Sequence, residues 1–112
     1  MFYAEETERI LGAGQCNQED KEIWNSNGKE AQKALDSCGT SCWGGAECTD
    51  KCMMKKTKLS TKCANCFGSF AGCGKSNCTW KCMFGRTQGC INCVKEYCAD
   101  GFVKCSGLSS PM

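Results

Sequence analysis

The chain has 112 residues, of which 14 are cysteine and none is histidine, and its formal net charge at pH 7 is +2. The length allows one domain, and a cysteine fraction above about a tenth is typical of a disulfide scaffold. Without histidine the Ser-His and Cys-His pairs of common hydrolases are excluded, and a pI near 7.9 gives no indication of a nucleic-acid-binding surface.

The first 28 residues are predicted to form an N-terminal arm, extended or loosely helical. Residues 1–36 carry eight acidic and four basic side chains, and residues 37–112 carry four acidic and ten basic ones, so the net charges are −4 and +6. This asymmetry suits either an ordinary solvated surface or docking onto partners of opposite charge. The arm either contacts a partner, folds back over its own domain or is a mobile tail. Its candidate partner contacts are Phe2, Tyr3, Ile10, Leu11 and Trp24.

Residues 29–108 are predicted to form an all-α, cysteine-rich domain, with a tail at residues 109–112. The run Lys29–Asp36 consists mainly of good helix formers. Three C-x-x-x-C pairs begin at Cys38, Cys48 and Cys78, and this spacing puts two sulfurs on one helix face, one turn apart. We therefore expect short helical hairpins stapled by disulfides; the alternative is an irregular, loop-rich knot. A basic helical face supplies further partner-binding candidates: Lys51, Lys55, Lys56 and Lys58.

An internal repeat organises the domain, because C-T-x-K-C-M followed by C-x-N-C occurs within residues 48–73 and again within residues 78–105. Two antiparallel helices would join inner cysteines with inner and outer with outer. The pairings this suggests are Cys52–Cys63, Cys48–Cys66, Cys82–Cys90 and Cys78–Cys93. Spacing alone does not determine connectivity. The remaining cysteines would link the hairpins and fix the arm: Cys16, Cys38, Cys42, Cys73, Cys98 and Cys105.

Other uses of the cysteines are weighed against the scaffold. The pairs Cys63/Cys66 and Cys90/Cys93 together resemble the ligand spacing of a zinc ribbon. A thiolate cluster, an iron–sulfur centre and a C-x-x-C oxidoreductase are further alternatives, the last lacking the βαβ pattern in which that motif belongs. We expect all fourteen cysteines to be disulfide-bonded, with no metal, no cofactor and no catalytic residue. Disulfides of this number indicate an oxidising compartment.

Aromatic residues are expected to pack over the disulfides, since Leu, Ile and Val are few. A minority of them would be exposed as anchors for a partner, because Trp and Phe contribute strongly to interfaces. The residues concerned are Trp24, Trp43, Trp80, Phe67, Phe70, Phe84 and Phe102.

The frame of the C-terminal two thirds resembles a known family. Within residues 38–108 it contains Cys63-Ala-Asn-Cys66-Phe-Gly, a series of spaced cysteines, and the closing run Phe102-Val-Lys-Cys105-Ser-Gly-Leu108. This pattern is similar to a cysteine-rich helical domain family of dinoflagellate-type algae, which includes small lumenal accessory subunits of photosystem supercomplexes. The family brings no catalytic residues to this chain.

The resemblance implies a non-catalytic structural or assembly subunit, bound to protein subunits on the lumenal face of a photosystem I-type supercomplex in the thylakoid lumen. Residues 1–15 contain three glutamates and lack the apolar run of a signal peptide. No run of about 18 apolar residues exists, so the chain is not expected to span a membrane. The absence of histidine removes the commonest ligand to chlorophyll magnesium, which leaves pigment contact open. The alternative is a free secreted disulfide-rich protein with a defence, signalling or surface role.

Overall fold

The computed structural model describes residues 14–26, 28–83, 85 and 87–111, and this part of the chain forms five α-helices and no strand. The predicted all-α, disulfide-stapled class is confirmed. The candidate contacts Phe2, Tyr3, Ile10 and Leu11 lie outside the described residues. The helices are α1 (Gln18–Ser26), α2 (Gly28–Ser41), α3 (Ala46–Lys56), α4 (Thr61–Cys82) and α5 (Gln88–Ser106).

Local sequence signals set the ends of the two longest helices. The Ser60 hydroxyl caps α4 by accepting a hydrogen bond from the Cys63 N–H at 3.3 Å, and Thr87 caps α5 in the same way through the Cys90 N–H at 3.2 Å. These caps satisfy N–H groups that have no partner inside a helix. Helix α5 ends at Gly107, whose φ of +79° is a left-handed conformation that glycine adopts without steric cost.

The core lies around α4, which packs against α3 on one side and α5 on the other. An aromatic cluster fills it: the ring of Phe67 lies 4.9 Å from that of Phe102 and 5.5 Å from that of Trp24, both edge to face. Phe70 contacts Phe102 at 5.3 Å. Edge-to-face packing stabilises such clusters beyond the burial of apolar surface alone. Small and sulfur-containing side chains fill the rest, including Met53, which is fully buried.

The N-terminal segment is attached to this core. The N–H of Gln15 donates to the Cys105 carbonyl at 2.9 Å, and residues 18–26 of the predicted arm form the helix α1. Trp24 is 7% exposed, and its indole N–H donates to the Ser109 hydroxyl at 3.1 Å. The prediction that Trp24 contacts a partner is therefore wrong, because the side chain completes the aromatic cluster of its own domain.

Trp24, Phe67, Phe70 and Phe102 are buried in one cluster with the bridged cysteines, as expected for most of the aromatic residues. Trp43 and Trp80, which are 83% and 81% exposed, form the exposed minority. Phe84 lies outside the described residues. Among the helices of the described part, none is long and apolar enough to cross a membrane.

Candidate functional site: two disulfide sets with exposed aromatic side chains

All fourteen cysteines are disulfide-bonded, as expected, and all lie within the described residues. The Cα atoms of the bridged residues are 4.3–5.9 Å apart, at or close to the usual disulfide range of about 4.4–6.8 Å. The seven bridges are Cys16–Cys63, Cys38–Cys52, Cys42–Cys48, Cys66–Cys105, Cys73–Cys98, Cys78–Cys93 and Cys82–Cys90.

The bridges form two nested sets that never cross. The first set occupies residues 16–63 and pairs its six cysteines from the outside inwards, ending at Cys42–Cys48 across the turn between α2 and α3. The second set occupies residues 66–105 and pairs its eight cysteines in the same order, ending at Cys82–Cys90 between α4 and α5. The second set therefore staples the α4–α5 hairpin, whereas in the first set two bridges staple the α2–α3 hairpin and Cys16–Cys63 ties the segment before α1 to α4.

Two of the four predicted pairings are confirmed, Cys78–Cys93 and Cys82–Cys90, and both belong to the second set. The other two, Cys52–Cys63 and Cys48–Cys66, are wrong. The rule of inner with inner and outer with outer applies to both sets. The error lies in choosing α3 and α4 as the first hairpin, whereas α3 pairs back with α2.

The reason is that α4 carries five cysteines between Thr61 and Cys82, along two helical segments that meet at a kink at Cys78. Cys63 in its first turn pairs with Cys16 of the first set, whereas Cys66 and the three cysteines after it pair with α5. The two copies of the sequence repeat therefore have different connectivity. The boundary between the sets falls inside the motif Cys63-Ala-Asn-Cys66, which looks like one unit in the sequence.

The sulfurs that a zinc ribbon would use are divided among four bridges, since Cys63, Cys66, Cys90 and Cys93 each have a different partner. Asp20 lies beside Cys16 and Cys63, with a ligand atom of each within 4.8 Å of the others. Because those two sulfurs are bonded to each other, they are not thiolate ligands, and this trio has a structural role.

Asp20 joins the start of α1 to the start of α4. Its carboxylate accepts hydrogen bonds from the Asn17 N–H at 2.9 Å and from the Ser60 N–H and hydroxyl at 2.9 and 2.6 Å. In return the Asp20 N–H donates to the Asn17 side chain at 2.8 Å, which completes a capping box. The sequence signal was available in the spacing of Asn17 and Asp20, and was missed.

Exposed large aromatics are the most unusual surface feature. Trp43 directly follows Cys42, in the turn that the Cys42–Cys48 bridge closes, and Trp80 lies between Cys78 and Cys82. Trp43 has a φ of +54°, which is uncommon for a residue other than glycine. Because bridged cysteines lie on both sides of each tryptophan in the sequence, disulfides constrain the backbone that carries both indoles.

Two further exposed apolar side chains follow the same pattern. Met83, 52% exposed, directly follows the bridged Cys82, and Tyr97, 58% exposed, directly precedes the bridged Cys98. Single exposed apolar residues are normal on protein surfaces. Four of them within two residues of a bridged cysteine place aromatic and sulfur surface on backbone that disulfides constrain.

The predicted basic face is present on α3. Lys51, Lys55 and Lys56 are exposed and line an open groove of about 490 Å³ that also contains the Cys42–Cys48 bridge. Lys51 forms an ion pair with Glu47 at 3.8 Å, one helical turn away. Lys58 is exposed just beyond the end of the helix. The structure therefore brings three of the four predicted lysines into one groove.

Helices α3 and α4 cross at Gly68, where a Cβ atom would overlap both Asp50 Oδ1 and the Ala46 carbonyl oxygen. Asp50 Oδ1 is buried at this crossing and has no hydrogen-bond partner of normal geometry. Burial raises the pKa of the Asp50 carboxyl above its ordinary value of 3.8; the Gly68 backbone opposes this in part, and the Glu47 carboxylate adds to it. The crossing is therefore tight and sensitive to protonation.

Comparison with known proteins gives no relative: no family model, no curated protein and no solved structure matches this chain.

Proposed function

We propose that this protein is a non-catalytic structural subunit of a larger protein assembly in an oxidising compartment, and that it docks through exposed aromatic side chains held by its disulfides. The single observation that carries this proposal is the pair Trp43 and Trp80, which are 83% and 81% exposed; Trp43 directly follows the bridged Cys42, and Trp80 lies midway between the bridged Cys78 and Cys82. Tryptophans this exposed bury little apolar surface in the free domain, whereas interface hot spots are enriched in Trp, Tyr and Arg.

The disulfides add to the affinity that such residues give. Binding usually costs free energy because side chains and loops become ordered at the interface. In this chain the disulfides fix the backbone on both sides of each indole before the partner binds. The free energy lost by ordering the interface is therefore smaller. The proposal therefore gives the bridges a second role, in presenting the docking residues as well as in stabilising the domain.

Charge favours a partner with an acidic surface. Residues 37–112 carry ten basic and four acidic side chains, and the α3 lysines are exposed on the groove that is also lined by Cys42, the residue before Trp43. Complementary charge speeds association and sets orientation more than it raises affinity. In the proposed complex the aromatic residues supply most of the binding free energy, and the lysines orient the subunit.

The proposed assembly is a photosystem I-type supercomplex, with this subunit on its lumenal face. This part of the proposal is supported by the likeness of residues 38–108 to small lumenal subunits of algae and by seven disulfides, which fit an oxidising space. A secreted protein with a defence, signalling or surface role is the alternative. Cell fractionation distinguishes the two: the subunit stays with salt-washed thylakoid membranes, whereas the secreted protein is found in the medium.

The test of docking is co-purification of the tagged chain with thylakoid complexes, comparing the wild type with Trp43→Ser/Trp80→Ser. Loss of one hot-spot residue costs about 2 kcal/mol, roughly 30-fold in affinity, and we expect the double variant to be absent from the purified complex. Val103→Ser is the matched control, since Val103 is exposed and apolar and, like Trp80, lies two residues from a bridged cysteine, but is not aromatic. Equal recovery of the wild type and both variants would refute the role of Trp43 and Trp80 in docking.

A further inference from the structure

The Cys42–Cys48 bridge differs from the other six in its exposure. Cys48 is exposed and Cys42 half-buried, whereas each of the remaining bridges contains at least one buried cysteine. Disulfides are cleaved by direct attack of a thiolate on a sulfur, so access to the sulfur is a condition of reactivity. The groove on α3 provides that access, because this bridge forms part of its wall.

Charge around this bridge favours its cleavage. Cys48 is the third residue of α3, near the helix N-terminus, where partial positive charge stabilises a thiolate. Lys51 follows one turn later on the same face, and Lys55 and Lys56 line the same groove. Glu47 opposes this effect and is itself paired with Lys51. An attacking thiolate is also drawn to the groove by the three lysines.

From these observations we propose that Cys42–Cys48 is a reversible thiol–disulfide exchange site that accepts two electrons from a dithiol reductant. This inference goes beyond the docking function and does not rest on it. The first thiolate of the donor attacks Cys42 Sγ, the bond between the two sulfurs breaks, and Cys48 leaves as the better stabilised thiolate. The second thiolate of the donor then attacks the donor's first sulfur in the mixed disulfide, and Cys42 leaves as a thiolate. The donor becomes a disulfide, and its two protons pass through solvent to the two cysteines.

Opening this bridge leaves the α2–α3 hairpin closed, because Cys38–Cys52 and Cys16–Cys63 lie outside it in the same nested set. What it releases is the turn at residues 43–45. That turn holds Trp43 at a φ of +54° and packs Gly44 so tightly against α4 that a Cβ there would lie 2.8 Å from the Lys75 Cβ. Reduction therefore changes the presentation of one exposed tryptophan while the domain stays folded.

The chain contains a matched control in Cys82–Cys90. That bridge also closes the inner end of a nested set, spans 8 residues against 6, and has its second cysteine at the third position of a helix. Cys82 is half-buried like Cys42, the residue under attack, and the two bridges differ in the leaving cysteine, since Cys90 is only 5% exposed whereas Cys48 is exposed. A difference in reactivity between the two bridges thus reports the exposure and charge surroundings of the leaving sulfur, with loop length and helix position held nearly constant.

The experiment treats the oxidised full chain with dithiothreitol at neutral pH without denaturant. Samples taken over time are quenched with acid, alkylated and mapped by mass spectrometry, and circular dichroism is recorded in parallel. We expect Cys42 and Cys48 to be labelled at least ten times faster than Cys82 and Cys90, with helix content unchanged at that stage. Oxidised glutathione should restore the bridge. Equal or faster labelling of Cys82 and Cys90, or simultaneous release of all thiols, would overturn the proposal.

A second comparison tests the charge argument separately. Lys51→Gln/Lys55→Gln should slow the opening of Cys42–Cys48 about threefold and leave the rate at Cys82–Cys90 unchanged. Lys62→Gln, which alters an exposed lysine outside the groove, should change neither rate. An unchanged rate in the double variant would overturn the role assigned to the lysines.

Discussion

The carboxylate of Asp20 and the backbone N–H and hydroxyl of Ser60, 40 residues apart, form two hydrogen bonds of 2.9 and 2.6 Å. Ser60 in turn caps α4, so one buried carboxylate connects the N-termini of two helices beside the Cys16–Cys63 bridge. A buried charge of this kind stabilises a fold only when its hydrogen-bond partners are present. Removal of the carboxylate would leave three donors without a partner.

Asp20→Ala is expected to lower the free energy of unfolding by about 3 kcal/mol, because hydrogen bonds to a charged group contribute about 1.5–3 kcal/mol each and are only partly additive. Denaturant unfolding of the oxidised protein measures the change. Glu22→Ala on the exposed face of α1 is the control and should change stability by less than about 0.5 kcal/mol. Equal stability of the two variants would contradict the role given to Asp20.

Gly68→Ala should destabilise the domain by about 3 kcal/mol, since the added methyl group overlaps Asp50 Oδ1 and the Ala46 carbonyl where α3 crosses α4. Gly101→Ala is the matched control: it lies in α5 with no atom within 4 Å of the added carbon. There the better helix propensity of alanine should stabilise by about 0.5–1 kcal/mol. Thermal unfolding of both variants gives the comparison, and a shift of the same sign in both would argue against a close crossing.

The raised pKa of Asp50 predicts a specific pH dependence. A carboxyl whose pKa is higher in the folded state than in the unfolded state favours folding in its protonated form. Its stabilising contribution is therefore complete below the unfolded pKa, near 3.8, and is lost as pH rises through the raised folded pKa. Asp50→Asn keeps the neutral shape at every pH. From neutral to acidic pH, the wild type should gain stability relative to this variant.

The measurement is the difference in unfolding temperature between the wild type and Asp50→Asn at a series of pH values. Glu47→Gln provides a second comparison, because it removes one of the causes of the raised pKa and should move the transition to lower pH. A difference that stays constant with pH would show that Asp50 is not strained in its charged form.

Complete reduction of all seven bridges is expected to remove most of the helical signal in the far-ultraviolet. Helices of 9–14 residues such as α1, α2 and α3 are marginal by themselves in water, and each lost bridge removes roughly 2–4 kcal/mol. Circular dichroism before reduction, after reduction and after reoxidation tests this. Full helix content in the completely reduced chain would mean that the aromatic cluster alone holds the fold.

The helical class follows from the sequence because a C-x-x-x-C spacing puts both sulfurs on one face of a helix, one turn apart. Nested pairing within a hairpin also follows, as Cys78–Cys93 and Cys82–Cys90 confirm. The position of the boundary between the two sets does not follow, since it depends on whether Cys63 and Cys66 face the N-terminal segment, α3 or α5. Nothing local in the repeat distinguishes these possibilities.

The exposed residues were harder to predict than the buried ones. Trp24 and Trp43 are the same residue type, and each has one apolar or sulfur-containing neighbour and one polar or small neighbour in the chain. What separates them is tertiary: α1 lies over the pair Phe67 and Phe102, whereas the turn at Trp43 faces solvent. The reactive position of Cys48 likewise results from which bridge lies at the surface, and no pattern of cysteine spacing gives that information.

The nested bridges also determine how the chain responds to proteases. Each connection between helices lies inside a disulfide loop, three of them between Cys16 and Cys63 and the fourth between Cys82 and Cys90. A cut in any of these connections leaves both pieces covalently attached. Between Cys16 and Cys105, only the peptide bonds joining Cys63 to Cys66 lie outside every loop. They belong to the second turn of α4, where helical hydrogen bonding and the burial of Ala64 shield the backbone from cleavage.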